Sequence, residues 1–163
     1  MSEFETTYHT HYRQLIGIAS KMIDDPNDVQ DIVQEVFVSY YEKSVLTQQA
    51  ILNPRNWLIR ATLNKCIDHL KRGKKHVKLE VAILTEQPQE ETVELKKQQQ
   101  ILRQAIKEFP PREIELLILY SKGFSYKEIS EITGINYTSL GKTLSRTLQK
   151  LKLILKRMNY EMY

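Results

Sequence analysis

Apolar residues in this chain recur at three- and four-residue steps over most of its length, the period of helices buried on one side. Phe4, Tyr8, Tyr12, Leu15, Ala19 and Met22 predict a first amphipathic helix that ends at Asp24-Asp25-Pro26. A second helix starts there. Asp25 suits the N-cap and Pro26 the first helical position, and Val29, Ile32, Val33, Val36, Phe37 and Tyr40 form its apolar stripe. The polar stretch "KSVLTQQAILN" interrupts the period before Asn53-Pro54 repeats the same start. The third helix then carries Leu58, Ile59, Thr62, Leu63, Cys66, Ile67 and Leu70 on one face until Gly73 ends it.

Residues 77–92, "VKLEVAILTEQPQEET", break the pattern with Pro88 and a Gln/Glu-rich patch and predict a linker. A second helical block begins near Val93, with Leu95, Leu102, Ala105, Ile106 and Phe109 on one face. Pro110-Pro111 stops that helix, and Pro111 opens the next, which runs to Gly123. No strand pattern of any length interrupts this succession. The chain is therefore expected to be all-α, with two small helical domains at 1–76 and 93–163 joined by the 77–92 linker.

The segment "GFSYKEISEITGINYTSLGKTLSRTLQKL" carries the most specific local signal. Ser125 and Glu128 have capping-box spacing, so a helix should start at Tyr126 and bury Ile129 and Ile132. Gly134 permits the left-handed turn that a sharp reversal needs, and Asn136 can cap the helix that follows. That helix buries Leu140, Leu144, Leu148 and Leu151 and leaves Tyr137, Thr138, Gly141, Lys142 and Ser145 outside. Small polar and basic side chains on the first exposed turns suit a helix-turn-helix whose second helix enters the major groove. A plain helical hairpin would show the same apolar stripe.

Charge adds a second layer. The net charge is only +4, yet residues 1–52 hold three Lys/Arg against eight Asp/Glu, and residues 53–79 hold eight against one. Residues 80–108 are again acidic, with four against six, and residues 109–163 are basic, with nine against five. Two basic zones alternating with two acidic ones suit nucleic acid met in two places and a basic partner elsewhere, although a solvated mixed surface would look alike. On the second helix Asp28, Asp31, Glu35 and Glu42 form an acidic stripe opposite the apolar one.

Other chemistries find little support. The single cysteine, Cys66, excludes an internal disulfide and sits on an apolar face, and the four histidines lack partners at metal-ligand spacing. No metal and no cofactor are expected. A clustered His/Asp/Glu constellation, a glycine-rich phosphate loop and a nucleophile with an evident base are missing, which argues against an enzyme. The longest apolar run, within "LLILY", is far short of a membrane span, and Glu3 and Glu5 stand where a secretory signal would be positive. A soluble, cytoplasmic protein is the expectation.

The motif "FPPREIELLILYSKGFSYKEISEITGI", followed by Leu140, Leu144, Arg146 and Leu151, resembles region four of the extracytoplasmic-function sigma factors, small bacterial transcription initiation factors of the sigma-70 superfamily. "DPNDVQDIVQEVFV" is similar to the core-binding helix of that family's region two, and "NPRNWLIRATLNKCIDHLKR" resembles the helix after it. The resemblance covers nearly all of the chain outside the linker, with both motifs in order. It implies core RNA polymerase and promoter DNA as partners, with an anti-sigma factor as a further, regulatory one.

Carried onto this sequence, the resemblance implies that Asp28, Asp31, Gln34 and Glu35 face the polymerase. Tyr41, Lys43, Arg55, Asn56, Arg60, Asn64, Lys65, Lys71 and Arg72 would meet the minus-ten element. Ser125, Tyr137, Thr138, Ser139, Lys142, Ser145 and Arg146 would meet the minus-thirty-five element. The loop from Lys43 to Asn53 stands where the family captures a flipped base; Tyr41 is the candidate stacking partner, whereas Tyr40 continues the apolar stripe and Trp57 reads as a core anchor. Lys150, Lys152, Lys156 and Arg157 would add phosphate attraction, or merely suit the helix dipole. One departure stands out: Gly141 and Thr143 occupy positions where members of the family often carry Lys or Arg. The rival reading is a helix-turn-helix regulator whose first block serves dimerisation or sensing without polymerase.

Overall fold

The computed structural model describes residues 1–72, 97, 101–102 and 104–162, with side chains as far as 158. The described residues are helical or looped throughout. They divide into two compact units, one within Met1–Val77 and the other within Lys78–Tyr163. The linker assigned to 77–92, the helix end at Gly73 and the first residues of the second block, Val93 and Leu95, lie outside the described residues.

In the first unit α1 (Glu3–Met22), α2 (Pro26–Tyr41) and α3 (Pro54–Lys71) pack pairwise around one core. Each start has a local cause. The Ser2 side chain and the Glu5 carboxylate form a reciprocal capping box, Asp25 Oδ1 accepts from Asn27 N–H at 2.8 Å, and Asn53 Oδ1 accepts from Asn56 N–H at 3.0 Å. Leu15, Ile18, Val33, Val36, Leu58, Ile59 and Leu63 are fully buried where the three stripes meet. At about 1.5–3 kcal/mol for each large side chain, this burial rather than helix propensity holds the unit together. Cys66 belongs to the same core, and burial pushes its thiol up to about 12, so it packs as a small hydrophobe. Two details differ from the sequence reading. The stretch after Tyr41 does not begin as a loop; a π-helical turn, Glu42–Leu46, prolongs α2 before the chain leaves it. Trp57 is half-buried, its ring 5.7 Å from that of Tyr40, rather than a core anchor.

In the second unit Leu102, Ala105, Ile106 and Phe109 are buried as their spacing predicts. Helices α4 (Pro111–Ser121), α5 (Tyr126–Thr133) and α6 (Tyr137–Met162) follow. The Ser125–Glu128 capping box forms as expected, and Gly134 closes α5 at φ 77°, a left-handed conformation that a side chain would oppose. The turn is fixed from outside as well: Ser130 donates its hydroxyl to the Ile135 carbonyl, and Arg112 reaches from α4 to the Thr133 carbonyl at 3.2 Å. Leu140, Leu144 and Leu151 are buried on α6, but Leu148 is only half-buried and Thr147 takes the inner place.

Candidate nucleic-acid interface and acidic face

The acidic stripe of α2 divides when α3 packs beside it. Asp28 is half-buried, with a carboxylate oxygen 3.6 Å from His69 Nε2, and Lys65 Nζ lies 3.5 Å from Glu35 Oε2. Asp31 and Gln34 remain exposed on the outer edge. A cavity of about 240 Å³ between the helices is lined by Asp28, Asp31, Glu35, Lys65, His69 and Arg72. The free acidic surface is therefore narrower than the sequence spacing alone predicts, and it centres on Asp31, Gln34 and the outer side of Glu35.

The basic positions of α3 divide as well. Arg60, Asn64 and Lys71 are exposed at helical spacing on one side, with Asn56 half-buried one turn earlier. Lys65 and Arg72 instead line the cleft against α2. Arg55, in the first turn, acts on α1: its charge, after burial, is a cause of the depressed basicity of His11. The cations assigned to one DNA face thus sit on three sides of the helix, and the outward side is that of Arg60, Asn64 and Lys71.

Where the π-helical turn leaves α2, aromatic rings cluster. Tyr40 is 5% exposed, between Phe4 at 6.2 Å and Trp57 at 5.7 Å, whereas Tyr41 is 40% exposed with the Phe4 ring edge-on at 5.1 Å. Lys43 holds its ammonium 5.7 Å above the Trp57 ring. Sequence reasoning separated the two tyrosines correctly but missed Leu46 and Leu52, which are 65% and 98% exposed in the stretch that follows. Their signal was two leucines in a polar stretch with no helical period.

In the helix-turn-helix, hydroxyls assigned to DNA turn out to have structural duties. Ser125 Oγ accepts from Glu128 N–H, Thr138 donates its hydroxyl to Asn136 Oδ1 at 3.0 Å, and Ser139 donates to the Asn136 carbonyl at 3.1 Å. Asn136 is the cap expected from its position, since its Oδ1 also accepts from Thr138 N–H at 3.1 Å. Tyr137, Lys142, Ser145 and Arg146 are exposed on the first turns of α6. Lys142 and Arg146 have no carboxylate partner among the described residues. The later cations differ: Lys150 pairs with Glu113 at 3.2 Å and lies over the Phe109 ring, and Arg157 is held by both Glu108 oxygens at 2.7 and 2.8 Å. Those two serve the unit's own packing and are withdrawn from any DNA stripe. A methyl group added at Gly141 would meet only the Tyr126 ring at 3.7 Å, an ordinary contact. Gly141→Ala is accordingly expected to raise the thermal stability of this unit by about 1 kcal/mol or less, read as a higher melting midpoint; an unchanged or lower midpoint would contradict it.

One unit thus carries an acidic edge and an outward basic helix side, and the other a capped helix-turn-helix. Residues 7–76 match the Sigma-70 region 2 family and residues 99–151 match the Sigma-70 region 4 family. The chain belongs to the sigma-70 family. Within it the extracytoplasmic-function class fits: the ECF RNA polymerase sigma factor SigM of Bacillus subtilis (strain 168) is 26% identical over 157 residues, covering 92% of this chain and 93% of that protein. The RNA polymerase sigma factor SigZ of the same strain is 28% identical over 154 residues, covering 93% and 86%. The sigma factor RpoE, solved in complex with the anti-sigma factor NepR from Bartonella quintana, shares the fold with a TM-score of 0.57 at 20% identity, covering 96% of this sigma factor and 98% of that chain.

Proposed function

We propose that this sigma factor binds core RNA polymerase through the outer edge of α2 and brings it to promoters read by α3 and α6. The observation that carries the reading is the exposed set Lys142, Ser145 and Arg146 on a helix whose neighbouring hydroxyls are spent on capping, with Lys142 and Arg146 lacking a carboxylate partner among the described residues. Asp31, Gln34 and Glu35 supply the polymerase contact, with Asp28 beneath them. Arg60, Asn64 and Lys71, with Asn56, meet minus-ten phosphates and base edges, and Tyr41 and Lys43 face the unpaired strand. Lys65 and Arg72 act at the border between the two surfaces. On this reading the factor performs no chemistry itself and works wherever the polymerase is, in the cytoplasm. Among the described residues no helix is long and apolar enough to cross a membrane. An anti-sigma factor, such as the one bound to the structural relative, is the regulator it would meet. The division at 1–76, 77–92 and 93–163 belongs to the same proposal.

Run-off transcription with purified core polymerase tests the reading directly. Transcripts should require both core and factor, whereas a regulator independent of polymerase would bind its sites without supporting initiation. In the same assay Lys142→Ala with Ser145→Ala is expected to lower output from promoters that depend on the upstream element by about tenfold, since truncating a side chain that reads a base costs about 1–3 kcal/mol. Core binding should stay at the parent level. Equal output from variant and parent would remove both residues from the upstream site.

A further inference from the structure

We infer that Lys65 is a shared cation: Glu35 holds it in the free factor, and when polymerase takes Glu35 the ammonium passes to a phosphate of the minus-ten strand. This deepens the proposed function and rests on its assignment of α2 to polymerase and α3 to DNA.

A charge on the wrong face carries the inference. Lys65 Nζ lies 3.5 Å from Glu35 Oε2, reaching from α3 to α2. Both clefts along α2 are lined by Lys65 together with Asp31 and Glu35, so the pair stands where they meet. The second of these clefts, of about 430 Å³, is otherwise lined by Gln34, Val38 and Ser39, and Lys65 is the one cation in it. That is the side proposed to meet a basic partner. Left there, Lys65 would set like charge against the partner and compete with it for Glu35. Asp31, one turn earlier, has no ionic partner among the described residues and meets no such competition.

The helix offers Lys65 a second place. It follows Asn64 directly, so its Cα is one helical step of about 100° from the outward side, where Arg60, Asn64 and Lys71 stand exposed. A lysine suits the move, because its ammonium rides on a flexible four-carbon stem and the pair it leaves is long, exposed at Glu35 and weak. An arginine fork would grip the carboxylate with two bonds, as Arg157 grips Glu108.

Exchange makes the two surfaces assist each other. Whatever occupies Glu35 frees Lys65 for DNA, and whatever occupies Lys65 uncovers Glu35 for polymerase by the same factor. Set by the strength of an exposed ion pair, that factor is at most about fivefold.

The test uses the full-length factor, without core, and a fluorescent single strand carrying the minus-ten element. Glu35→Gln should tighten binding of that strand about threefold and steepen log affinity against log salt by about 0.7, one further phosphate. Asp31→Asn removes the same charge from the same face but frees no cation, so its gain should be smaller and its slope that of the parent. In a Lys65→Gln background the gain from Glu35→Gln should vanish. Lys65→Gln by itself should tighten core binding about threefold in the absence of DNA, by uncovering Glu35. Arg60→Gln, which loses the same charge from the outward side of α3, should tighten it less. Equal gains from Glu35→Gln and Asp31→Asn, a gain that survives without Lys65, or looser core binding by Lys65→Gln would each overturn the exchange. Weaker strand binding by Arg60→Gln with no gain in Glu35→Gln overturns the exchange alone and leaves the minus-ten assignment standing. If Arg60→Gln binds the strand as the parent does, that assignment of α3 falls and the exchange falls with it.

Discussion

Core RNA polymerase is expected to reject the Asp31→Lys, Glu35→Lys double variant while the variant itself stays folded. Both side chains project from the exposed side of α2, whose other side buries Val29, Ile32, Val33, Val36 and Phe37. Glu35 pairs with Lys65 at 3.5 Å, but that carboxylate is 66% exposed, and such surface pairs contribute no more than about 1 kcal/mol. Reversal therefore costs the fold little. At the partner surface, like charges brought together cost several kcal/mol, roughly a hundredfold or more in affinity. Circular dichroism and the melting midpoint should remain near the parent, with holoenzyme assembly and transcription falling together. Asp28 is left out of the test because it is half-buried against His69, so its reversal would confound folding with binding. A double variant that binds core as tightly as the parent would reduce the stripe to solvated surface.

Phe109→Ala should unfold the second unit selectively. The ring is 1% exposed, with the Lys150 ammonium 4.6 Å from its centroid, and Lys150 is itself tied to Glu113. Removing a buried aromatic ring leaves a cavity and costs about 3–5 kcal/mol. For a unit this small that is a large share of its stability, and its melting midpoint should fall by well over ten degrees. Upstream-element binding should disappear at temperatures where the first unit, followed through Trp57, still melts as in the parent. One coincident transition, shifted as a whole, would show that the two units do not fold separately. An unshifted midpoint would mean that the site collapses around the alanine.

The elements were legible in the sequence because their causes are local. Apolar period, a side-chain oxygen at the N-cap, proline at the first turn and glycine at a left-handed stop act within four residues of one another, and Asp25-Pro26, Asn53-Pro54, Ser125 with Glu128, and Gly134 all do in the structure what their spacing implies. The same holds for Tyr40 against Tyr41, since one position of helical phase separates a buried ring from an exposed one. Even the family followed from two such local motifs in order.

Which charges are available to a partner was not local, and only tertiary packing decided it. Lys65 meets Glu35 across 30 positions, Lys150 meets Glu113 across 37, and Arg157 meets Glu108 across 49. No period within one helix foretells which neighbour will lie beside it. A cation counted along the chain therefore looks the same whether it faces DNA, as proposed for Lys142, or is already neutralised, as Arg157 is. The π-helical turn after Tyr41 belongs with these. The same holds at Gly141, where packing alone sets Tyr126, from a different helix, 3.7 Å from where a Cβ would stand.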